Sequence, residues 1–131
     1  MPSIFSRIVN REIPAHIIRE DDEFLAFLDV RPIRAGHTLV IPKQEIDDVF
    51  DLPDSLLSGL LVFARPVAQA IQQTTGAQRV GMAVVGIDVP HAHLHLVPID
   101  GVGDLDFRKA QEAEDADLAA MAERIRSALG S

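Results

Sequence analysis

Three histidines near the end of the chain stand at alternate positions, His91, His93 and His95. Alternate side chains of an extended strand project from one face, so the three imidazoles would lie side by side. Apolar residues fill the positions between them and would face the interior of the protein. The pattern predicts a strand over residues 91–97 with a buried back and a reactive front, ending at Pro98.

Two interpretations of this row of imidazoles need no nucleophile. The simplest is three surface histidines without a task, but strict alternation of three of the five histidines in the chain argues against it. The second is a metal site. Neighbouring rings, about 6.6–7 Å apart, can converge on one zinc ion, whereas the outer pair is roughly 13 Å apart. A metal ion would need another ligand elsewhere, and the chain has no cysteine to supply it.

The third interpretation is nucleophilic catalysis at phosphorus. A neutral imidazole attacks phosphorus readily, and water can cleave the adduct that forms. Such a site needs one histidine to attack and a neighbour to deliver a proton to the leaving group. Like charges close together disfavour protonation of all three rings at once. The central residue, His93, is therefore the predicted nucleophile.

Hydrophobic periodicity and turn residues divide the rest of the chain into short elements. Apolar residues at helical spacing predict a helix over residues 3–9, capped by Ser3, and a long helix over about 54–75. Pro66 lies inside the long helix and predicts a kink or a break there. Further strands are predicted over residues 15–20, 23–28, 36–41 and 80–85, and a terminal helix over 111–129.

These elements together predict an α+β fold. Short connections favour antiparallel pairing, which gives a five-stranded antiparallel sheet with helices on one face and a C-terminal helix. We expect residues 1–131 to form one domain, with a core over about 3–99 and an acidic connector over 100–110. A dinucleotide-binding fold is excluded, because no strand leads through a Gly-x-Gly-x-x-Gly turn into a helix.

Composition limits the partners of this chain. The formal net charge is -8 and no basic run offsets it, which excludes a nucleic-acid polymer but permits a small anion at close range. Without cysteine, disulfides and thiolate metal sites are excluded. The longest apolar run, over residues 56–71, is interrupted by polar residues. We therefore expect no membrane partner and a cytoplasmic location.

The run from His91 to Val97 matches the histidine triad motif, in which three histidines alternate with apolar residues and two apolar residues close the motif. Segments upstream occur in the order typical of the same family: Ile13-Pro14, Glu20-Asp21-Asp22, Leu25 to Asp29, and Gly36 to Lys43. Residues 3 to about 99 therefore resemble the histidine triad (HIT) family, and within it the branch similar to purine nucleoside phosphoramidate hydrolases.

This resemblance implies binding of a purine nucleoside phosphate and cleavage of its bond to an amine or to another phosphate. The middle histidine of the family attacks the α-phosphorus and forms a nucleotidyl-histidine, a role that falls on His93. The resemblance places His95 beside the phosphate and the leaving group, and gives His91 a supporting role. The family aspartate that holds the ribose hydroxyls matches Asp29. The apolar slot around the base matches Ile4, Phe5, Ile8, Phe27 and Val30. Ordinary core packing explains Ile4 and Ile8 equally well.

Two features depart from the family pattern, and the first concerns zinc. Several members hold zinc with two cysteines, a histidine and the first triad histidine. The matching positions here are Ser3, Ser6, Glu45 and His91, so three of the four ligands are absent together. We therefore expect no structural zinc and no other cofactor.

The second departure lies in the loop before the triad. Val84 and Asp88 occupy the positions of a family asparagine and a family hydroxyl residue near the phosphate. Valine donates no hydrogen bond, and an aspartate repels a phosphate unless it is protonated or turned away. We expect the backbone N–H groups around Gly86 and Val89 to bind the phosphate instead, with Asp88 between them.

Three functions stay open at this point. They are hydrolysis of nucleoside phosphoramidates, hydrolysis or phosphorolysis of dinucleoside polyphosphates, and nucleotide binding without catalysis. The resemblance also implies a homodimer whose sheets join edge to edge, with the terminal helix at the dimer surface or the rim of the pocket. We interpret His16 as a surface residue and His37 as structural.

Overall fold

The computed structural model describes residues 2–130, which form a β-sheet packed against α-helices. The elements are α1 (Ile4–Val9), β1 (Ile17–Glu20), β2 (Phe24–Leu28), β3 (Thr38–Pro42), α2 (Asp54–Thr75), β4 (Arg79–Ala83), β5 (Leu94–Ile99) and α3 (Asp115–Leu129). The strands lie in the order β1-β2-β3-β5-β4, and every neighbouring pair is antiparallel. The predicted five-stranded antiparallel sheet is confirmed.

The sheet has a core on each face, because alternate residues of its buried strands point in opposite directions. On β2, Phe24, Ala26 and Leu28 pack into the larger core beneath α2 and α3. Leu25 and Phe27 pack into the smaller core beneath α1. The two long helices thus cover one face as predicted, and the six-residue α1 covers part of the other. This leaves room beside α1 for a cavity.

A kink or a break was predicted at Pro66, and the break does not occur, because helix α2 is continuous from Asp54 to Thr75. Proline has no N–H for the carbonyl four residues earlier, which belongs to Val62. Val62 is exposed, and water can hydrate its carbonyl. The helix ends at Gly76, whose positive φ of 72° closes the last turn through a bond to the carbonyl of Gln72.

The last strand begins later and ends later than the sequence suggests. Residues 91–92 bond to loops instead of the sheet, with His91 N–H donating to Val89 and Ala92 N–H donating to Ile46. The strand begins at Leu94 and passes through Pro98, so the predicted end there is wrong. On one side, Pro98 pairs with β4. On the other side, the pairing of β5 with β3 stops at Leu96, so this side of Pro98 is free. A proline is tolerated where one side of a strand is free.

The tail helix also begins later than predicted, at Asp115 instead of residue 111. The residues before it are extended, because Gln111 N–H donates to the carbonyl of Pro32 and Ala113 N–H to that of Val30. These bonds fasten the tail to the segment that follows β2. Within residues 2–130, no helix combines the length and the hydropathy that a membrane crossing requires.

Candidate active site

A cavity of about 520 Å³ opens on the α1 face of the sheet, where β2, β3 and the start of β5 approach each other. It brings together most of the predicted site residues: Ile4, Phe5, Asp29, Gly86, Asp88, Val89, His93 and His95. Its walls also include residues that sequence reasoning did not assign to the site: Arg31, His37, Leu39, Val85, Ile87, Phe107 and Ala110.

The triad rings face α1, as the alternating pattern predicts, since Ala92, Leu94 and Leu96 pack into the core beneath α2. The rings are nevertheless buried, not spread over an open surface. Their exposed fractions are 0% for His91, 5% for His93 and 7% for His95. The predicted reactive front is therefore recessed: His93 and His95 line the cavity, while His91 is fully enclosed.

His93 has its proton fixed by the backbone. Its Nδ1 lies 2.7 Å from the carbonyl oxygen of His91, which can accept but not donate. The neutral ring therefore carries its proton on Nδ1 and a lone pair on Nε2. Nε2 of His93 makes no hydrogen bond to any described residue. Every fully buried side-chain nitrogen or oxygen in residues 2–130 has a partner, so this Nε2 cannot be fully buried. Nε2 of His93, with its lone pair, is therefore open to the cavity.

His95 has the opposite tautomer, and His37 imposes it. The backbone N–H of Ile33 donates to Nδ1 of His37 over 3.0 Å, so the proton of His37 must be on Nε2. That Nε2–H donates to Nδ1 of His95, again over 3.0 Å. His95 therefore carries its own proton on Nε2, which has no partner among residues 2–130 and faces the cavity.

Burial keeps both of these rings neutral. It lowers the pKa of His37 to about 4 and that of His95 to about 4, with the neighbouring imidazoles adding to the effect on His95. The chain of donors starts at a backbone amide of Ile33, which cannot supply a proton. His95 is therefore suited to donating a hydrogen bond from Nε2, and less suited to giving up a net proton.

His37 was interpreted as structural, and the sequence did not predict that it lines the cavity and contacts His95. It is 1% exposed and lies just before β3, on the cavity side of the sheet. A signal was present in the register: Leu39, two residues later, pairs with His95 on β5. An alternate position on an adjacent antiparallel strand brings side chains within reach of each other.

His91 lies beneath α1, outside the cavity. Its Nε2–H donates to the carbonyl of Pro42 over 2.7 Å, and its Nδ1 accepts from the hydroxyl of Ser3 over 2.8 Å. Burial is the main cause that lowers its pKa. Its carbonyl accepts from Nδ1 of His93, so His91 orients the His93 ring through the backbone.

The four positions that match the zinc ligands of relatives do meet, as a hydrogen-bonded cluster. Ser3 and Ser6 both donate to one carboxylate oxygen of Glu45, through a backbone N–H over 2.6 Å and a hydroxyl over 2.7 Å. These bonds lower the pKa of Glu45. Two hydroxyls bound to a carboxylate and an imidazole are a poor donor set for zinc, which favours thiolate and imidazole. The residues present do not fit the family zinc.

Asp29 follows β2 and points into the cavity. One of its oxygens accepts the backbone N–H of Arg31 over 2.9 Å, and the other lies 3.7 Å from Nε2 of His37. Burial raises the pKa of Asp29, and the backbone N–H of Arg31 with the nearby charges of His95, His93 and Arg31 opposes this rise. Its free acceptor capacity is suited to a diol.

Asp29, His37 and His95 also place three ligand atoms within 4.8 Å of one another. A metal ion there would have to displace the proton on Nε2 of His37. That proton would have to move to Nδ1, which already accepts the N–H of Ile33. Hydrogen bonding is therefore the better interpretation of this cluster.

Three predicted base-slot residues do not line the cavity. Ile8 and Phe27 are buried in the smaller core, which confirms the core alternative for Ile8. Phe27 acts indirectly, because its ring packs edge-on against Phe5 at 5.5 Å between centroids. Val30 is 58% exposed. Its backbone carbonyl holds the tail instead.

The loop over residues 84–90 forms one wall of the cavity. Gly86 has a positive φ of 71°, which glycine adopts without strain, and the chain turns there. Val84 lies outside this cavity, in an adjoining hollow of about 200 Å³ that His93 also lines. Asp88 is close enough to His95 for its charge to oppose the lowering of that pKa.

The acidic connector supplies a further wall residue, Phe107. Its ring lies edge-on to His95, at 4.8 Å between centroids, and 6.4 Å from the ring of His37. It is 41% exposed. The connector thus reaches the rim of the pocket, whereas no residue of α3, the helix expected at the rim or the dimer surface, lines this cavity.

Comparison with known proteins agrees with this geometry. A family model described as the HIT domain matches residues 10–102. The chain is 33% identical over 127 residues to an uncharacterized HIT-like protein of Methanocaldococcus jannaschii, covering 94% of this chain and 98% of that protein. It is 33% identical over 96 residues to adenosine 5'-monophosphoramidase HNT1 of Saccharomyces cerevisiae, covering 72% of this chain and 61% of the yeast protein. A Zn-bound histidine triad family protein from Mycobacterium smegmatis superimposes with a TM-score of 0.84 at 32% identity, covering 97% of this chain and 92% of that one. The chain belongs to the histidine triad (HIT) family.

Proposed function

We propose that this protein hydrolyses purine nucleoside phosphoramidates through a nucleotidyl-histidine intermediate on His93. One observation carries the proposal: Nε2 of His93 presents a lone pair to the cavity while Nδ1 is anchored to a backbone carbonyl. The yeast relative named as an adenosine 5'-monophosphoramidase supports the choice of substrate.

The proposed reaction has two displacements at phosphorus. In the first, Nε2 of His93 forms a bond to the α-phosphorus, the bond from phosphorus to the amine breaks, and the departing nitrogen takes up one proton from the solvent, to which the second step returns one. In the second, water attacks the phosphorus, releases one proton and displaces His93. The two steps together consume one water and yield a nucleoside monophosphate and an amine.

The other cavity residues bind and orient the substrate in this proposal. Asp29 accepts hydrogen bonds from the ribose hydroxyls, and Ile4 with Phe5 packs against the base. His95 donates from Nε2 to a phosphoryl oxygen or to the departing nitrogen, where charge develops in the transition state. Backbone N–H groups near Gly86 and Val89 contact the phosphate.

Turnover of an adenosine phosphoramidate with a fluorescent amine tests this function. We expect hydrolysis by the wild type, and a loss of about 1,000-fold or more in His93→Ala, as for removal of other nucleophiles. His16→Ala is the matched control, because His16 pairs with Asp115 outside the cavity. Binding without turnover would instead support a nucleotide-binding module, and preferential cleavage of diadenosine compounds would support a polyphosphate hydrolase or phosphorylase.

We further propose that two copies associate through β4 and the adjacent face of α2. Strand β4 is at the edge of the sheet, with β5 as its one described neighbour. Beside it lies an apolar groove of about 450 Å³ whose walls include Leu57, Leu61, Val62 and Met82. These side chains are between 38% and 62% exposed. A second copy would cover the apolar side chains and extend the sheet across the two-fold axis.

A further inference from the structure

The charges that line the cavity are unusual for a site that binds phosphate. Two carboxylates, Asp29 and Asp88, face one guanidinium, Arg31, among the described wall residues. The two lysines of the chain lie elsewhere: Lys43 pairs with Glu20, and Lys109 donates to the carbonyl of Gly103. The ionised side chains around the cavity therefore sum to a negative charge.

This balance disfavours a substrate with several phosphates. A nucleoside phosphoramidate has one negative charge at its phosphoryl group, whereas a dinucleoside polyphosphate has several. Arg31 is also committed in part, since its guanidinium lies 3.5 Å from the carbonyl of Ala110. Each additional phosphate would meet carboxylates in place of the Lys and Arg side chains that usually bind it.

Two groups on the cavity wall lie near His95, whose Nε2–H faces the cavity. Asp88 comes from the loop over residues 84–90, and its charge acts on His95. Phe107 comes from the tail and packs against the same ring at 4.8 Å. Both side chains line the cavity and are exposed to it. A carboxylate and an aromatic ring on the wall of one cavity are a combination that attracts an organic cation.

We propose that the amine released by this protein carries a second, positively charged group, such as the far ammonium of an alkyl diamine, and that Asp88 selects it. This inference rests on the proposed phosphoramidate hydrolysis. The reaction is the one given above, and the charged end of the leaving amine takes no part in bond breaking. Asp88 holds that end by charge attraction, and Phe107 offers a ring against which the alkyl chain packs.

Two adenosine phosphoramidates of matched length test the proposal, one made with diaminopropane and the other with butylamine, which has a methyl group in place of the ammonium. We expect the wild type to favour the diamine compound by about threefold to fivefold in kcat/KM, the size of effect expected for opposite charges at an exposed site. The preference should shrink as salt concentration rises.

Asp88→Asn removes the charge with little change in shape. We expect it to abolish the preference for the diamine compound and to raise the cleavage of diadenosine triphosphate relative to either amide. Asp51→Asn, an exposed carboxylate away from the cavity, is the control and should keep the wild-type ratio. Binding of both amides to His93→Ala, measured by calorimetry, gives the same comparison without turnover.

Equal kcat/KM for the two amides, or a ratio that is unchanged in Asp88→Asn, would overturn the assignment of Asp88 while leaving the hydrolase in place. Failure of the wild type to cleave either amide would instead remove the proposed function, and this inference with it.

Discussion

At the scale of single residues, backbone groups decide what each imidazole can do. The carbonyl of His91 gives His93 a free lone pair on Nε2, while the amide of Ile33, acting through His37, gives His95 a free N–H. In the proposed reaction, the lone pair of His93 attacks phosphorus and the N–H of His95 donates a hydrogen bond. The two tautomers follow from groups whose donor or acceptor character cannot change.

A pair of substitutions at His37 tests this arrangement. In His37→Asn, the amide oxygen can still accept from Ile33, but no donor reaches His95, which becomes free to change tautomer. We expect kcat to fall about tenfold, which is the effect of losing one hydrogen bond that positions a catalytic group. We also expect the acid limb of the pH profile of kcat to move to higher pH. His37→Gln keeps a donor for His95 and should retain most of the activity.

The pH dependence of kcat for the two variants provides the measurement. If His37 had a structural role alone, both variants would lose stability together and keep the wild-type profile in whatever activity remained. An Asn variant with the kcat and pH profile of the wild type would disprove the positioning role.

Sequence reasoning found His93, Asp29 and Phe5 because short motifs mark them, and it missed His37 because its partner is distant in the chain. His37 and His95 are 58 residues apart and meet through the pairing of β3 with β5. Strand order is set by the whole sheet, so no local pattern announces that contact.

At the scale of elements, the cluster of Ser3, Ser6, Glu45 and His91 joins α1 to the loop that precedes β5. The hydroxyl of Ser3 accepts the backbone N–H of Ser6, capping α1, and donates to His91. The helix that forms one wall of the cavity is thereby tied to the residue whose carbonyl holds His93.

Restoring the zinc ligands tests the geometry of this cluster. The Nε2–H of His91 donates to Pro42, which leaves Nδ1 free as a ligand, and the hydroxyls of Ser3 and Ser6 lie 2.8 and 3.3 Å from it. We expect the triple variant Ser3→Cys, Ser6→Cys, Glu45→His to bind one zinc per chain and to unfold at a higher temperature with zinc present.

Zinc content by atomic emission and thermal unfolding with and without a chelator are the measurements. The wild type serves as the control and should bind none. A correctly folded triple variant that fails to take up zinc would show that the four positions do not converge as described.

Element boundaries were less predictable than element types. Alternation suggested a strand from residue 91, but backbone bonds to Val89 and Ile46 hold residues 91–92 in a loop. Helical periodicity suggested a tail helix from residue 111, but pairing with Pro32 and Val30 keeps the preceding residues extended. In both places, bonds to distant segments override the local pattern.

At the scale of the whole molecule, the buried imidazoles link stability to pH. The folded pKa values of His37 and His95, about 4, lie below the ordinary value of 6.5. Between pH 4 and pH 6.5 the unfolded chain binds more protons than the folded one. The contribution of the two neutral rings to the free energy of unfolding is therefore fully present above pH 6.5 and is lost as the pH falls toward 4. Each ring contributes up to about 3 kcal/mol to this loss.

Urea unfolding at a series of pH values measures the effect. We expect the urea concentration at the midpoint of unfolding to decrease as the pH is lowered from 6.5 to 4. This decrease should be smaller in His37→Asn, which lacks one of the two rings. His16→Ala should keep the wild-type slope. A midpoint that does not change over this range would contradict the burial of neutral imidazoles.

Association of two copies is a second property of the whole molecule. Leu61 is 50% exposed on the proposed contact face, and a carboxylate there would be buried without a partner in the dimer. We expect Leu61→Asp to be monomeric in analytical ultracentrifugation at concentrations where the wild type is dimeric. Val102→Asp alters a residue that is 93% exposed elsewhere and should stay dimeric. A monomeric wild type would refute this interface.

Mass spectrometry of the protein quenched during turnover tests the central claim most directly, because the claim is that Nε2 of His93 bonds to phosphorus. With an adenosine phosphoramidate and an alkaline quench, we predict a fraction of the chain that is heavier by one adenylyl group, located on His93 by fragmentation and absent in His93→Ala. Efficient turnover with an adenylyl group on another residue, or with unchanged modification in His93→Ala, would contradict the account.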